Sequence, residues 1–447
     1  MQAGMLTSRS DTGPASPESG RRGRRPNASP AIVTAMIGLL LILIPAAEPQ
    51  PGDVYREFVW HSTSGRDWRV TDPAAVETFP RAAAFLPNPV RTIRVADLRG
   101  ATRAELTLDR WNGHRGSINK RVRFNGGDWL DVPPVDVGGA DLRPAFLMTQ
   151  DNTTLEVPIS QLVEGDNALE ATCDEEGGFG WGQWGFYAAM LRVYYGRDSP
   201  GREPITGRIT VPAAGDTLAD DQVVRIDATA GFGVTRIDVL AEFEGYDVDG
   251  DGRWREWQSH WHQPSRGEPP VTTGHVGTLR GRPYELRWDT RWVPDQDGPV
   301  RLVARVRDSH GFWFVTDVVG GLTLSGRGVE LLRPLDVPED FGVREDRREL
   351  SCRFQPLERP EDVAEAALHF RSWHGYAGHH RPLDFNGREL PIRGNEHFFD
   401  YDRLPLPAGV LRGDNVFTVR SDTEHHQLEV LWPGPAVVVR RKPAGGP

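Results

Sequence analysis

The sequence predicts an all-β fold, and three observations support this class. Glycine (49) and proline (36) are both frequent in the 447 residues, which suits many short strands joined by tight turns. Long apolar stripes at helical spacing are absent after the N-terminal region, whereas alternating polar and apolar segments are common. One arrangement of such segments occurs twice. The length itself predicts about three domains.

The repeated arrangement lies near both ends of the chain. A strand-like segment closes on Trp-x-Gly at Trp111 and again at Trp373. Each copy continues to a Phe-Asn-Gly segment, at Asn125 and at Asn386, and later to a Gly-Asp-Asn segment before another apolar strand. Asn-Gly between strands predicts a tight turn, because both residues tolerate positive φ. We therefore expect two related sandwich modules with Asn125 and Asn386 in equivalent turns.

The repeated segments resemble the galactose-binding-type jelly roll, over residues 55–195 and 328–442. That fold occurs in carbohydrate-binding modules and in accessory domains of glycoside hydrolases. The resemblance implies a β-sandwich for each copy, with the Asn-Gly turns as scaffold and not as ligand residues. Segments 184–187 and 425–435 also resemble a family of exported bacterial proteins, and this likeness implies no activity.

A different unit, residues 203–325, separates the two copies. Its clearest strand, Val300–Asp308, alternates cleanly, and Gly311 begins the following turn. The unit resembles the immunoglobulin-like domains of exported bacterial proteins, where such domains usually act as spacers. The predicted architecture is therefore two jelly-roll β-sandwich modules bracketing an immunoglobulin-like β-sandwich.

The N-terminal segment 1–47 is typical of a signal peptide. Four arginines between Arg21 and Arg25 precede an apolar run, residues 31–44, and small residues for cleavage follow. We expect a secreted, periplasmic or cell-surface protein with no membrane insertion after signal removal, or alternatively one anchored by an uncleaved segment. The net charge of −11 disfavours nucleic-acid binding, because an acidic protein repels phosphate.

Two cysteines, Cys173 and Cys352, are present, and they fall in different modules. They do not form a disulfide framework. Each could be a small buried hydrophobic residue, and a single bridge between the outer modules is left open.

An acidic segment predicts a structural calcium site. Asp247, Asp249 and Asp251 occupy alternate positions, as in a calcium loop, and such carboxylates can converge on one hard cation. The twelfth position is Gln258, so we expect Glu256 to supply the remaining ligand. The flanking residues indicate strands, not the helices of an EF-hand. The alternative is an acidic hairpin tip without an ion.

Aromatic residues in the Gly-rich segment 177–185 suggest a ligand surface. Trp181, Trp184 and Tyr187 could line an open groove and stack on the C–H faces of sugar rings. Core packing by neighbouring strands is the alternative. A second aromatic cluster lies in the middle unit, at Trp254, Trp257 and Trp261.

Histidine is concentrated in the last module. His397, His425 and His426, together with Glu429, could form a metal site or an acid–base site at one rim of the sandwich. The alternative is that these histidines are merely solvated.

No Gly-x-Ser-x-Gly elbow, P-loop or dinucleotide fingerprint occurs in the sequence. The predicted function is that of an exported non-catalytic binding protein for cell-surface or environmental glycans. The alternatives are a polysaccharide hydrolase or lyase with its site in the His-rich C-terminal module, and a structural envelope protein.

Overall fold

The computed structural model describes residues 49–135, 149–176, 183–196, 199, 202–346, 349–375, 381–392, 397–424 and 426–443. The predicted signal segment 1–47, Trp181 and His425 lie outside these residues. Strands make up nearly all of the described secondary structure, so the predicted all-β class is confirmed. The described helical segments are short: Ala75–Thr78 and the 3₁₀ turns Pro80–Phe85, Ile159–Gln161, Thr290–Trp292, Pro360–Asp362 and Ala408–Val410.

The described residues of the first sandwich form nine strands. One of its sheets has the order β3-β8-β5-β6, and β1, β9, β4 and β7 lie side by side in the opposing sheet, with β2 also paired to β9. The bounds are β1 (Val54–His61), β2 (Arg69–Val70), β3 (Arg91–Val95), β4 (Ala101–Trp111), β5 (Ser117–Phe124), β6 (Leu130–Asp131), β7 (Gln150–Val157), β8 (Gly165–Glu175) and β9 (Trp184–Tyr195).

The middle unit contributes eleven strands. Its smaller sheet has the order β10-β11-β17, and β14 and β15 form a separate hairpin. The bounds are β10 (Ile205–Val211), β11 (Asp221–Ala230), β12 (Val234–Glu244), β13 (Arg255–Trp257), β14 (His260–His262), β15 (Val271–Thr273), β16 (Gly277–Leu279), β17 (Glu285–Asp289), β18 (Val300–Asp308), β19 (Phe312–Val315) and β20 (Val319–Leu322).

Ten strands are described in the last sandwich. One sheet has the order β21-β30-β24-β29-β22, with β27 also paired to β24, and the other has the order β23-β28-β25-β26. The bounds are β21 (Val329–Leu332), β22 (Gly342–Val343), β23 (Glu349–Arg353), β24 (Val363–His374), β25 (Leu383–Phe385), β26 (Arg388–Leu390), β27 (Phe399–Leu406), β28 (Val416–Arg420), β29 (Leu428–Val430) and β30 (Ala436–Arg441).

The two outer sandwiches share one strand order. The order β3-β8-β5-β6 of the first corresponds to β23-β28-β25-β26 of the last, and β1-β9-β4-β7 corresponds to β21-β30-β24-β27. The long strand β9 corresponds to β29 and β30 together, since β2 pairs with β9 as β22 pairs with β29. This correspondence is the arrangement that the sequence repeat predicts.

The Asn-Gly turns carry the same hydrogen bonds in both copies. Asn125 and Asn386 have φ of 53° and 54°. The amide of Asn125 donates to Oδ1 of Asn167 at 2.9 Å, and that of Asn386 donates to Oδ1 of Asn415 at 2.8 Å. Each turn asparagine also accepts a backbone N–H at 2.9 Å, from Ala168 of β8 in the first copy and from Val416 of β28 in the second. The prediction of equivalent turns is therefore confirmed.

One sheet joins the first sandwich to the middle unit. Its order is β13-β12-β18-β19-β1-β9-β4-β7, so strands of both units are neighbours in a single hydrogen-bonded array. The connection is made by β1, which pairs with β9 along its length and with β19 at its start, where Val54 faces Phe314. We call this array the shared sheet.

Besides two smaller clusters, one on the shared sheet around Tyr55 and one around Tyr246, three large hydrophobic cores fill the described chain: one within the first sandwich, one within the middle unit and one within the last sandwich. Cys173 and Cys352 lie in the first and the last of these cores, both unpaired and buried. Burial raises the pKa of each thiol to about 12. They therefore act as small apolar residues, and no bridge joins them.

Within the described part of the chain, no helix has the length and apolar character needed to cross a membrane.

Candidate functional site

A polar cleft of about 120 Å³ lies over one face of the shared sheet. The floor of the cleft is formed by side chains from six strands of that sheet: β12, β18, β19, β1, β9 and β4. Side chains of β7 line one side of the cleft. The hairpin β14–β15 provides the other wall through Ser259, Trp261, Pro270 and Thr272. Asn152 fixes this hairpin to β7, because its side-chain amide accepts from the backbone N–H of Trp261 at 2.8 Å and donates to its carbonyl at 2.6 Å.

Charges alternate across the floor of the cleft. Glu57, Arg192 and Glu105 are direct cross-strand neighbours on β1, β9 and β4. Arg192 donates to Glu105 at 2.5 Å and approaches Glu57 at 3.3 Å. A second pair, Arg236 and Asp238, is joined at 2.8 Å. In total the cleft is lined by four carboxylates and three guanidinium groups, so it offers both acceptors and donors.

Tyr55 is the unusual residue of the cleft. Its side chain is fully buried and stacks on Trp313, with ring centres 6.2 Å apart and an interplanar angle of 12°. Its hydroxyl has no hydrogen-bond partner among the described residues. The neighbouring Tyr194 differs, since its hydroxyl donates to Glu105 at 2.6 Å. A buried hydroxyl without a partner is costly, so the site gains from a ligand or water that supplies one.

The acidic loop, residues 247–252, connects β12 to β13. It is therefore a hairpin turn, as the flanking strand patterns predict. Four carboxylates converge in this loop, and one oxygen from each lies within 4.8 Å of the other three: Asp247, Asp249, Asp251 and Glu256. These are the four residues that the sequence predicts as calcium ligands, and the structure brings them together.

Backbone geometry holds the acidic loop in its curled form. Asp247, fully buried, accepts the backbone N–H groups of Gly250 at 2.6 Å and Gly252 at 2.7 Å. Both glycines have positive φ, of 73° and 91°. Burial raises the pKa of Asp249 well above its usual range, and the adjacent carboxylates of Asp251 and Asp247 raise it further. Such a crowded set of carboxylates has the chemistry of a hard-cation site.

Asp249 belongs to both features, because its side chain also lines the polar cleft. The acidic group thus stands at the edge of the cleft and not apart from it. The same loop contacts the last sandwich. Tyr246 donates its hydroxyl to the carbonyl of Gly434 at 2.9 Å and stacks on Tyr401, with ring centres 5.6 Å apart.

The predicted aromatic groove is wrong for the residues that can be placed. Trp184 has no exposed surface and packs in the first core beside Phe186, at 5.9 Å between ring centres. Tyr187 is also buried, between Trp68 of its own sandwich and Phe398 of the last one. Trp68 and Phe398 come from distant segments, and Trp184 lies in a core built from several strands, so the glycines nearby do not leave these rings uncovered.

Three of the four predicted His-site residues can be placed. The rings of His397 and His426 meet at 5.0 Å, and both lie against Trp373, at 5.7 and 6.3 Å. Glu429 faces Trp373 directly across β24 and β29. Burial raises the pKa of Glu429 to about 7, with Asp340 as a further cause. His397, His426 and Glu429, together with Trp373, form a half-buried aromatic and acid–base group at one end of the last sandwich.

Two features of the site region escaped sequence reasoning. His260-Trp261-His262 alternates along β14, so Trp261 faces the cleft while both histidines stack on each other and meet Phe399 of the last sandwich edge-on. The His-x-His spacing was a signal that could have indicated this. Arg371 is fully buried and donates to the carbonyl oxygens of Trp432 and of Gln150 in the first sandwich. No local pattern marks this arginine.

Comparisons with known proteins yield neither a matching protein-family model nor a matching curated protein. Among solved structures, a β-porphyranase of glycoside hydrolase family 86 from Bacteroides plebeius has a TM-score of 0.21 and 11% identity over 50% of this chain and 37% of that chain. A β-glucuronidase from Ruminococcus gnavus has a TM-score of 0.23 and 10% identity over 67% and 51%. Fibronectin(III)-like modules of Clostridium thermocellum CbhA have a TM-score of 0.18 and 11% identity over 53% and 85%.

These likenesses are too low to carry an argument about function. The chain covers 34% to 39% of the length of the family 86 structures. The geometry of the site therefore carries the functional reasoning.

Proposed function

We propose that this protein binds glycans through the polar cleft on the shared sheet, and that it does so outside the cytoplasm without catalysing a reaction. The observation that carries the proposal is the Tyr55 hydroxyl, which is buried in the cleft and has no hydrogen-bond partner in the part of the chain that the structure describes. A few convergent polar groups in a concave site are the usual form of a small-ligand site.

The lining of the cleft suits a polyhydroxyl ligand. A sugar hydroxyl donates one hydrogen bond and accepts others, and the alternating arginines and carboxylates offer both kinds of partner. Trp261, which is partly exposed, provides aromatic surface for the C–H faces of a sugar ring. Four carboxylates against three arginines leave no excess of positive charge for a polyanion.

A glycan array on the protein, followed by calorimetry on any hit, tests the proposal. The Tyr55→Phe variant removes only the partnerless hydroxyl, so we expect glycan affinity to fall by roughly threefold to tenfold, the value of one hydrogen bond. Its unfolding midpoint should stay the same or rise, because no intramolecular bond is lost.

Tyr194→Phe is the matched control. It removes a hydroxyl that donates to Glu105, so it should cost about 1–3 kcal/mol of unfolding free energy. If Tyr55→Phe destabilises the protein as much as Tyr194→Phe and leaves glycan binding intact, the cleft is not the binding site. A protein that binds no glycan at all would favour a structural role in the cell envelope.

The second candidate is a polysaccharide hydrolase or lyase, favoured by Glu429 beside Trp373 and two imidazoles. A carboxyl whose pKa lies near 7 can exchange protons at neutral pH, as a general acid or base must. Reducing-sugar and unsaturated-product assays on the array hits test it. Glu429→Gln should abolish turnover, whereas Glu365→Gln, at an exposed position on β24, should not.

The proposal also includes export and a calcium ion at the acidic loop. It further includes a division into three modules, at 55–195, 203–325 and 328–442. The acidic loop fits a hard cation, since four carboxylates converge there. Bound Ca²⁺ would offset part of their negative charge and fix the β12–β13 turn.

A further inference from the structure

The acidic loop and the polar cleft share a side chain, and the inference begins from it. Asp249 lines the cleft, and one of its carboxylate oxygens lies within 4.8 Å of ligand atoms from Asp247, Asp251 and Glu256. A cation held by these four groups would therefore stand at the wall of the cleft, within reach of a molecule bound there.

The four carboxylates do not complete the coordination of a calcium ion. Ca²⁺ takes about 6–8 oxygen ligands. Both carboxylate oxygens of Asp247 accept backbone N–H groups, and Asp251 accepts the backbone N–H of Arg253 at 2.8 Å. These hydrogen bonds favour coordination of the cation by one oxygen from Asp247 and one from Asp251. With one oxygen from each group, at least about two positions are left for water or for ligand oxygens.

A second and independent observation points to a ligand in the same space. Tyr55 enters the cleft from β1, which lies three strands from β12 in the sheet order. Its hydroxyl is fully buried and has no partner among the described residues. Five other charged groups of the floor pair with one another, since Arg192 pairs with Glu57 and Glu105, and Arg236 pairs with Asp238.

We propose that Ca²⁺ at Asp247, Asp249, Asp251 and Glu256 is a direct part of the glycan site. One or two hydroxyl oxygens of the sugar fill the open coordination positions, and another hydroxyl pairs with Tyr55. Vicinal hydroxyls are suited to this, because they present two neutral oxygens at adjacent coordination positions. Glycan binding in the cleft is accordingly calcium-dependent. This inference rests on the proposed function of the cleft.

The metal is tested first, without any glycan. Calorimetry with Ca²⁺ alone, and luminescence of Tb³⁺ excited through tryptophan, should detect one site in the unchanged protein. Asp249→Asn should weaken the metal by at least about tenfold, the loss that even an outer-sphere substitution can cause. Tyr55→Phe should leave the metal affinity unchanged. Asp227→Asn, at an exposed position on β11, is the matched control for loss of one charge.

Glycan binding is then measured with a hit from the array, in Ca²⁺ and in EDTA. We expect EDTA and Asp249→Asn each to reduce the affinity at least about tenfold, and Asp227→Asn to have no effect. Equal glycan affinity in Ca²⁺ and EDTA overturns the inference while leaving the proposed function in place. Absence of a metal site overturns the inference and the calcium part of the proposal, and it leaves glycan binding in the cleft in place. A protein that binds Ca²⁺ but no glycan in either condition overturns the proposed function, and the inference with it.

Discussion

Gly250 is the point where the acidic loop meets the last sandwich, and its substitution by alanine gives a sharp prediction. A methyl group at Gly250 would lie 1.6 Å from Nη1 of Arg371 and 3.0 Å from the carbonyl oxygen of Trp432. Arg371 cannot simply turn aside. It donates to Trp432 at 3.1 Å and to Gln150, and it lies over the ring of Phe399 at 4.5 Å.

The expected cost has two parts. The positive φ of 73° disfavours any residue with a side chain, by roughly 1–2 kcal/mol. Displacing Arg371 breaks at least one charge-assisted hydrogen bond, for about 1.5–3 kcal/mol more. Gly250→Ala should therefore lower the free energy of unfolding by roughly 3–5 kcal/mol.

Gly267→Ala isolates the first part. Gly267 has a similar φ of 82°, but a methyl group there would meet nothing within 4 Å. It should cost only about 1–2 kcal/mol. Urea unfolding followed by tryptophan fluorescence compares the two variants. Equal costs for both would refute the contact with Arg371. In a double-variant cycle, Arg371→Ala should bring the cost of Gly250→Ala down to that of Gly267→Ala.

Four further predictions concern other parts of the chain. Trp184→Ala should cost about 3–5 kcal/mol in urea unfolding, because the ring is fully buried, and a cost below about 1 kcal/mol would place it on the surface. Burial lowers the pKa of His262 from 6.5 to about 4. Between these pH values the unfolded chain binds a proton that the folded chain does not, so the free energy of unfolding falls as the pH drops. His262→Phe should remove up to about 3 kcal/mol of that loss between pH 6.5 and 4, and unchanged acid sensitivity would contradict this. Ca²⁺ should raise the melting temperature, and Asp249→Ala should abolish the rise, whereas identical melting in Ca²⁺ and EDTA argues against the site. Mass spectrometry of the protein from its host should find an N-terminus near Glu48, and an intact first residue in the cytoplasm would contradict export.

Local patterns were sufficient for the turns and for the acidic loop. The equivalent positions of Asn125 and Asn386 follow from Asn-Gly pairs that set their own backbone conformation. The acidic group could also be predicted, because Asp247, Asp249 and Asp251 are near neighbours in sequence and the hairpin turn brings them together.

Features that depend on distant segments could not be predicted in this way. The Gly-rich sequence before Trp184 suggested an open groove, but Trp184 is buried beside Phe186, and Trp60 and Arg91 from distant segments cover Phe186. The cleft is still less visible. Its floor requires the pairing of β1 with β19, and no short motif records which strands will be neighbours.

The shared sheet also determines the order in which this chain can reach its final structure. The first strand begins at Val54, yet its partner Phe314 lies near the end of the middle unit. Contacts so far apart in sequence carry a large loop-closure entropy, and they form late and slowly. A chain emerging N-terminus first therefore holds the start of β1 as an open strand edge until β19 follows. A fragment that ended after β9 would keep that edge unpaired and prone to association with other strands.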